Sequence, residues 1–555
     1  MLLPRSLPHP HLSSRLSRCL STSSRAPLKV AIIGAGPSGF YTASRILSLL
    51  PANSPEGNGV EVHMYERLPT PYGLARYGVA PDHPEVKNCQ HKFDELAPDP
   101  RFKYFGNVLI SSQSSSSPSA PSPSTALSSY TYPHALRLSF QDIIPYYTTL
   151  VLTYGASLSN PLNSVPGSSS SDNPLEGVYP ALALVSWYNS HPAYADLPVD
   201  LRGVKDVSVV GQGNVALDVA RLLLKPVEDL AKTDLSDDVL DVFSKSSVDK
   251  VRVVGRRGPG QVAFTTKEFR EILAIPGVGY PGIDPDLMDE AKAGVPPGNG
   301  ERMRKRLLQL MDKQQDGKKV LELDFMKGPK AFLPNPQGGR VGEVEWNINA
   351  LLSTPTLAPN SPGDSPAASS LVAKATGQTS KTPADMVVES VGYRSEPLTG
   401  PGHEWDLPFD VVKGRVHNVG GRVVDHEGVP VNGVYAAGWA ARGPVGVIAS
   451  TMHDAYSLSS VILDDHLSPS PSPSPSSSPS TSPSSTKPPY TPLNTSPLPG
   501  LPERIINAAN EGKVVVDLDG WGRIDQAERE RAKLAGSGKE REKFRRVEEM
   551  LSVLA

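Results

Sequence analysis

The chain has 555 residues, 38% of them hydrophobic, and a formal net charge of −3 at pH 7. This length allows two or three domains with a large buried core, and the near-neutral charge excludes a global basic field of the kind that attracts nucleic acid. The two cysteines, Cys19 and Cys89, form no Cys-x-x-Cys pair, which excludes a dithiol relay and an iron–sulfur site with four cysteine ligands from this chain.

The first 26 residues contain four arginines and many serines, and the first acidic residue of the chain is Glu56. An arginine- and serine-rich segment without acids is typical of a mitochondrial transit peptide. We therefore predict a transit peptide over residues 1–26; the alternative is an ordinary disordered tail. The sequence contains no run of about 18 apolar residues, so it predicts no membrane span.

A glycine-rich turn, Gly34-x-Gly36-x-x-Gly39, lies between the apolar run Val30–Ile33 and a predicted helix. This arrangement binds dinucleotides, because the pyrophosphate sits on N–H groups at the helix N-terminus, where side chains would block its approach. The next predicted strand, residues 60–66, ends at Glu66, and a carboxylate there can accept hydrogen bonds from a ribose diol. The unit predicts an FAD or NAD site; the alternative is a tight turn without a ligand.

The following segment contains a helix-like stretch from about Pro84 and a Ser/Pro-rich insertion, residues 111–129, which we predict to be disordered. The run Leu150–Ala156 is typical of a strand that leaves one domain for the next.

A second glycine-rich turn, Gly211-x-Gly213 with Ala216 in the third position, follows the apolar run Val207–Val210. Alanine is an accepted variant where a helix packs closely on a strand. After the next strand, Arg256 and Arg257 stand where Glu66 stood in the first unit. Arginines suit a 2′-phosphate through charge-assisted, forked hydrogen bonds, so this unit predicts an NADP site. The alternative for the arginine pair is a solvated turn.

The rest of the chain contains two further insertions and several more elements. We predict a basic helix over 301–313, a disordered insertion over 353–381, a strand over 386–393 that returns to the first domain, a core strand over 433–439, a floppy low-complexity tract over 468–496 and a charged helical tail over 526–554.

Alternation of strands and helices predicts an α/β fold with two Rossmann-like, doubly wound domains. The order of the elements places an NADP-binding domain, residues 154–388, inside a discontinuous FAD-binding domain made of residues 27–153 and 389–555.

Four long runs of the sequence resemble the adrenodoxin reductase family, the mitochondrial ferredoxin–NADP reductases. They are Tyr72–Lys87, Gly211–Arg221, Arg256–Glu268 and Gly438–Ile448. The resemblance spans most of Lys29–Leu463 outside the Ser/Pro insertions, and it implies a glutathione-reductase-like arrangement that holds FAD and NADP(H).

The resemblance also implies roles for individual residues. Together with the glycine-rich turn, the family's FAD contacts correspond to Gly34, Gly36, Ser38, Gly39, Glu66, Leu74, Ile110, Trp439, Gly446, Val447 and Ile448. Its NADP contacts correspond to Gln212, Gly213, Asn214, Val215, Arg256, Arg257, Glu268 and Gly446. Ser38 replaces the family's alanine and Ile110 its valine. Gly446 is expected between flavin and nicotinamide, where a side chain would obstruct stacking.

Two polar residues, His83 and Glu268, are placed near the redox centre by the resemblance, and either could carry a proton to or from the flavin. The alternatives are that His83 fixes its turn and that Glu268 binds ribose. For docking of the partner, the resemblance implies Arg270, Arg302 and Arg306, since the ferredoxins of this system are acidic.

These inferences predict a mitochondrial-matrix flavoenzyme, at most peripherally associated with the inner membrane and monomeric. It would pass electrons from NADPH through FAD to a [2Fe–2S] ferredoxin that supplies iron–sulfur, haem or P450-linked steps. A disulfide reductase is disfavoured because no Cys-x-x-Cys pair exists. A flavin monooxygenase or NADPH oxidase and a non-catalytic nucleotide-binding protein remain alternatives.

Overall fold

The computed structural model describes residues 26–111, 130–298, 300–354, 370–398, 407–467, 491–536 and 538–555. The predicted transit peptide lies outside these ranges except for Ala26. The same holds for residues 112–129, 355–369 and 468–490 of the three predicted insertions.

The first part of the chain, up to the strand that precedes the second domain, alternates strands with helices. Its strands are β1 (Lys29–Ile33), β2 (Glu61–Tyr65), β3 (Phe102–Phe105), β4 (Val108–Ile110), β5 (Leu136–Leu138) and β6 (Thr149–Leu152). Its helices are α1 (Pro37–Leu49), α2 (Leu74–Tyr77), α3 (Pro84–Lys87), α4 (Cys89–Asp94) and α5 (Phe140–Ile143). All five residues of β1 are buried, as expected for an apolar central strand of a parallel sheet.

The middle part repeats this plan and adds an antiparallel sheet. Its strands are β7 (Leu158–Ser159), β8 (Val178–Pro180), β9 (Asp206–Val210), β10 (Lys250–Val254), β11 (Val278–Gly279), β12 (Lys319–Asp324), β13 (Lys327–Pro334), β14 (Val341–Thr354), β15 (Ser370–Pro383) and β16 (Met386–Glu389). Its helices are α6 (Ala181–Tyr188), α7 (Asn214–Leu224), α8 (Val227–Leu230), α9 (Asp237–Ser244), α10 (Thr266–Leu273), α11 (Pro285–Ala293) and α12 (Glu301–Met311).

The last part returns to the first sheet. Its strands are β17 (Tyr393–Arg394), β18 (Phe409–Asp410), β19 (Arg415–Val416), β20 (Asn418–Val419), β21 (Arg422–Val424) and β22 (Pro430–Ala436). Its helices are α13 (Trp439–Arg442), α14 (Ile448–Leu467), α15 (Glu503–Ile506), α16 (Leu518–Leu534) and α17 (Val547–Ser552).

Two mainly parallel sheets organise the described residues. The first has the order β20-β21-β22-β6-β1-β2-β3, and the second has the order β11-β12-β10-β9-β16-β8. Because β22 pairs in parallel with β6, the last part of the chain completes the sheet that the first part begins. This confirms the predicted α/β fold in which one domain interrupts another, whereas the boundaries after residues 153 and 388 stay predictions.

The prediction that residues 386–393 form a strand returning to the first domain is wrong. The strand β16 (Met386–Glu389) pairs in parallel with β9 and β8, inside the second sheet. All four of its residues are buried. An apolar strand of this kind suits the core of either sheet, so its sequence does not show which sheet it joins. The chain leaves the second sheet only after β16.

The predicted disorder over 353–381 is wrong for the residues that the structure describes. Residues 370–381 belong to β15, which pairs antiparallel with β14 from Thr354↔Ser370 to Glu343↔Pro383. The fully buried Trp346 donates from Nε1 to Thr382 Oγ1 at 2.8 Å, which ties the strand to its partner. Serine and threonine content suggested a loop, but threonine also suits a solvent-facing antiparallel strand.

The low-complexity prediction over 468–496 fails at its end. Leu493 donates its backbone N–H to Thr148 O at 2.9 Å and packs against the core of the first sheet. Asn494 donates from Nδ2 to Pro145 O at 2.8 Å. Leu493 and Asn494 are therefore attached to the first domain.

The charged tail is helical in α16 and in α17, and residues 538–547 cross between the two halves of the molecule, one built on the first sheet and the other on the second. Lys543 Nζ lies 2.8 Å from Asp234 Oδ2 in the second half, and Phe544 donates its N–H to Glu528 Oε1 in the first half at 3.0 Å. Glu528 is fully buried and pairs with Arg76 at 2.6 Å. Within the described ranges, no helix is both long and apolar enough to cross a membrane.

Candidate active site

The first glycine-rich turn has the backbone that a pyrophosphate needs. Gly34 has φ +104°, and a Cβ there would lie 2.5 Å from Tyr154 Cα, so only glycine fits. A Cβ on Gly36 would meet nothing within 4 Å. Helix α1 begins after Gly36 without a side-chain cap, which leaves its first N–H groups and an open space in front of them for an anion.

Glu66 lies at this turn, as the sequence predicts. Its Oε2 accepts the N–H of Ala35 at 2.9 Å and its Oε1 accepts that of Leu68 at 3.2 Å. Burial raises the pKa of Glu66, and the backbone hydrogen bonds and Arg67 oppose this shift. The carboxylate is held beside the turn, and its partly exposed position leaves it accessible to a ribose.

Two other segments approach the same turn. A Cβ on Gly73 would lie 3.3 Å from Gly36 Cα, which places Leu74, the next residue, beside the turn. A Cβ on Gly438 would lie 2.7 Å from Ser38 Cβ. Ser38 Oγ faces Gly438, is buried and has no hydrogen-bond partner among the described residues.

The remaining predicted FAD contacts lie on the last part of the chain and on β4. Trp439 begins α13 directly after Gly438, and Ile448 begins α14. Gly446 has φ +86°, and the neighbouring Val447 is 61% exposed. Ile110 is buried in the core cluster of the first sheet. Contact between these residues and FAD stays a prediction.

The second turn repeats the first. Gly211 has φ +122°, and a Cβ there would lie 2.1 Å from Ser390 O, whereas a Cβ on Gly213 would meet nothing within 4 Å. Helix α7 begins after Gly213 without a side-chain cap. Asn214 Oδ1 accepts the N–H of Thr265, and Gln212 donates from Nε2 to Asp324 O, at 3.0 and 2.9 Å. These two bonds hold the turn against its neighbours.

Three charged side chains near this turn are available to a ligand. Arg256 and Arg257 are exposed, and within the described part of the chain neither guanidinium has a hydrogen bond or ion pair. Glu268 Oε2 is buried and has no hydrogen-bond partner among the described residues. An unpaired buried carboxylate oxygen is costly unless a bound group satisfies it.

One residue from each predicted site packs against the same small hydrophobic cluster. Val215, from the second turn, and Trp439, from the first site, both pack against Ala156, Leu182 and Tyr393. The ring centroids of Trp439 and Tyr393 are 6.2 Å apart. The predicted NADP and FAD sites are therefore neighbours.

His83 lies where the two halves touch, and its partner is Glu271. His83 Nε2 is 3.0 Å from Glu271 Oε2, and His83 Nδ1 is 3.0 Å from Glu85 Oε1. Glu268, the acid named from the sequence, has no such contact. The structure thus pairs His83 with an acid that the sequence reading missed, although Glu271 lies one turn after Glu268 on the same face of α10.

The predicted docking arginines lie on exposed faces of adjoining helices. Phe269 of α10 and Leu308 of α12 share one buried cluster, so the two helices pack together through their apolar faces. Arg270, Arg302 and Arg306 are all exposed, and the last two lie one turn apart on α12.

Both sites fit dinucleotides by their own geometry. Each has an uncapped helix N-terminus with open space at the second glycine. The first adds the carboxylate of Glu66, which suits a ribose diol. The second adds two exposed arginines, which suit a 2′-phosphate, and the unsatisfied Glu268.

Known proteins of one kind are similar to this chain over nearly its whole length. It is 34% identical to the mitochondrial NADPH:adrenodoxin oxidoreductase of Drosophila melanogaster, covering 98% of this chain and 96% of that protein. It is 33% identical to the human protein of the same name, covering 96% and 93%. It is 36% identical to the Arabidopsis thaliana protein, covering 81% and 84%.

Among solved structures, Mycobacterium tuberculosis FprA in complex with NADPH matches with a TM-score of 0.71 and 30% identity, covering 95% of this chain and 99% of that one. A scan against protein-family models finds no match. The identity and coverage of the three oxidoreductases confirm the resemblance predicted from the sequence. The chain belongs to the NADPH:adrenodoxin oxidoreductase family.

Proposed function

We propose that the chain takes electrons from NADPH at the second turn, transfers them to FAD at the first, and delivers them to an adrenodoxin-type [2Fe–2S] ferredoxin. The observation that carries this proposal is the pair of open, uncapped glycine turns, together with the cluster at which Val215 of the second site and Trp439 of the first both pack. The chain is an FAD-dependent oxidoreductase that uses NADP(H) and acts in the mitochondrion.

The chain's own residues bind and align the two cofactors. The first N–H groups of α1 and α7 hold the pyrophosphates, Glu66 holds a ribose, and Arg256 with Arg257 holds the 2′-phosphate. Gly446 would contact both cofactors through its backbone, and a side chain there would meet Ser450 Oγ. When bound, FAD would accept two electrons together from NADPH and release them one at a time.

The pair of His83 and Glu271 handles the proton that accompanies hydride transfer. His83 Nε2 and Glu271 Oε2 are 3.0 Å apart but are not oriented as a hydrogen bond, so a rotation of either side chain would be needed before a proton could pass between them. Glu268 binds the NADP side of the site, where its unsatisfied oxygen has room for a ribose hydroxyl or an amide.

The ferredoxin binds at Arg270, Arg302 and Arg306, which we call the docking face. The positive charge of these arginines would steer an acidic ferredoxin to this face, and added salt would weaken the encounter. We also propose that the protein works as a monomer in the matrix, with at most peripheral association with the inner membrane.

The test is NADPH-driven reduction of cytochrome c by the chain from residue 27, loaded with FAD, with and without a [2Fe–2S] ferredoxin. Strong dependence on ferredoxin supports the proposal. Equal rates with and without ferredoxin, or oxygen uptake that accounts for the NADPH consumed, would identify a diaphorase or an oxidase. Flavin reduction without turnover would identify a binding protein.

The docking face has its own test. Exchanging Arg302 and Arg306 for glutamate should raise KM for ferredoxin at least about tenfold, while NADPH-dependent flavin reduction stays unchanged. The matched control exchanges Lys232 and Lys245, two exposed lysines elsewhere in the second half. A similar rise in both double variants would mean that only net charge matters.

A further inference from the structure

The turn that carries Arg256 and Arg257 is fastened along its backbone by the antiparallel sheet of β13, β14 and β15. Lys327 donates its N–H to Gly255 O at 3.0 Å, and Met326 donates its N–H to Arg257 O at 3.2 Å. The carbonyl between them, Arg256 O, accepts the side-chain Nδ2 of Asn349 at 3.0 Å. Three consecutive carbonyls of the turn are therefore held from one side.

Asn349 reaches the turn because the pairing of β14 with β15 is irregular there. Asn347 pairs with Thr379, but Asn349 pairs with Ala375, which marks a bulge between them. Bulges bend a strand and re-aim a side chain. Asn349 also donates its backbone N–H to Met326 O at 2.7 Å, so its backbone is anchored to the residue that holds Arg257.

Met326, which supports this arrangement, has a strained backbone conformation. It is a non-glycine residue with φ +56°, a region that such residues rarely occupy and that surrounding contacts must maintain. Its two backbone hydrogen bonds, to Arg257 O and from Asn349, provide those contacts.

The hydrogen bonds to the carbonyls of residues 255–257 hold in place the backbone that carries the two arginine side chains. Once the peptide groups on either side of Arg256 and Arg257 are held, only the side-chain torsions remain free. A ligand that binds the two guanidinium groups then pays less ordering entropy than it would on a loose turn. Of the three donors, Asn349 is the one that depends on a side chain.

We propose that Asn349 is a positioning residue for recognition of the 2′-phosphate of the nicotinamide dinucleotide. It acts through the turn and does not itself contact the phosphate. This inference rests on the proposed function, since it requires that Arg256 and Arg257 bind the 2′-phosphate.

The experiment measures binding of 2′,5′-ADP and of 5′-ADP to the FAD-loaded chain by calorimetry. Asn349→Ala should weaken 2′,5′-ADP about fivefold, as expected for loss of one hydrogen bond, and leave 5′-ADP unchanged. In turnover, KM for NADPH should rise by a similar factor while kcat stays constant. Asn347→Ala, on the same strand before the bulge, is the matched control and should change neither affinity.

A double variant, Arg256→Ala with Arg257→Ala, separates the two hypotheses. If it binds 2′,5′-ADP as tightly as the wild type, the NADP assignment of the turn falls and the role of Asn349 falls with it. If it loses that affinity while Asn349→Ala retains it, only the inference about Asn349 is overturned. Equal weakening of both nucleotides by Asn349→Ala would also overturn it, because the effect would not belong to the 2′-phosphate.

Discussion

Arg221 and Asp82 form a two-pronged ion pair across the two halves of the molecule, from Nε to Oδ2 and from Nη2 to Oδ1, both at 2.8 Å. Their side chains are only 2% and 6% exposed. Arg221 lies on α7, which begins at the second glycine turn, and Asp82 directly precedes His83. The pair therefore fixes the helix that receives NADP against the segment that carries the histidine.

Asp82→Ala should lower the free energy of unfolding by about 3–5 kcal/mol, because it leaves the buried Arg221 charge without its main partner. Flavin reduction by NADPH should slow as well, since α7 and His83 lose their fixed relation. Denaturant unfolding and stopped-flow absorbance measure the two effects. The control is Asp229→Ala, which breaks an exposed pair with Lys232 and should cost less than about 1 kcal/mol. Similar losses in both variants would contradict the prediction.

The same pair predicts a pH dependence. Burial would raise the pKa of Asp82, but hydrogen bonds from Arg221 and Lys225 outweigh it and hold this pKa well below its usual range. Because the folded-state pKa lies below the unfolded value of about 4, the pair stabilises the fold fully above that pH and loses its contribution as the pH falls further. In the Asp82→Asn variant, the thermal midpoint of unfolding should change less with pH below pH 4 than it does in the wild type. Parallel curves for variant and wild type would show that Asp82 is not responsible.

Glu271→Gln should change the pH profile of flavin reduction, because it removes the acid that lies beside His83. Glu268→Gln should instead raise KM for NADPH and leave the pH profile in place. Single-turnover rates across pH 6–9, with NADPH saturating, distinguish the two. The assignment of the proton-carrying acid would be reversed if only Glu268→Gln shifted the profile.

Replacing residues 468–490 with a Gly/Ser segment of equal length should leave turnover and thermal midpoint unchanged. Leu493→Ala with Asn494→Ala should lower the free energy of unfolding by about 1–3 kcal/mol, because these two side chains pack on and bond to the first domain. Thermal unfolding of both variants measures this contrast. The prediction would be contradicted if the Gly/Ser replacement of residues 468–490 lowered the thermal midpoint, or if the double variant unfolded at the wild-type temperature.

Local geometry explains which features the sequence could predict. The turns at Gly34 and Gly211 are defined within about ten residues by glycines that the backbone requires, so the strand, turn and helix could be read directly. Glu66 could be predicted because the ends of adjacent parallel strands meet. The fold class follows from the alternation of these units.

Long-range contacts explain what the sequence could not predict. The contact of His83 with Glu271 joins residues 188 positions apart in the chain, and the one local signal for it was a second acid one turn after Glu268. The strand β15 was missed because its threonines and serines also suit a loop, and only its pairing with β14 decides the outcome. Leu493 was missed because it follows a long Ser/Pro tract.

The crossing made by residues 538–547 makes both halves depend on the last residues of the chain. Lys539 reaches Leu235 O and Lys543 reaches Asp234. Phe544 and Met550, which follow, are buried in the core beside the first sheet. A chain cut short before residue 543 would therefore lose the joint between the halves and part of that core at the same time.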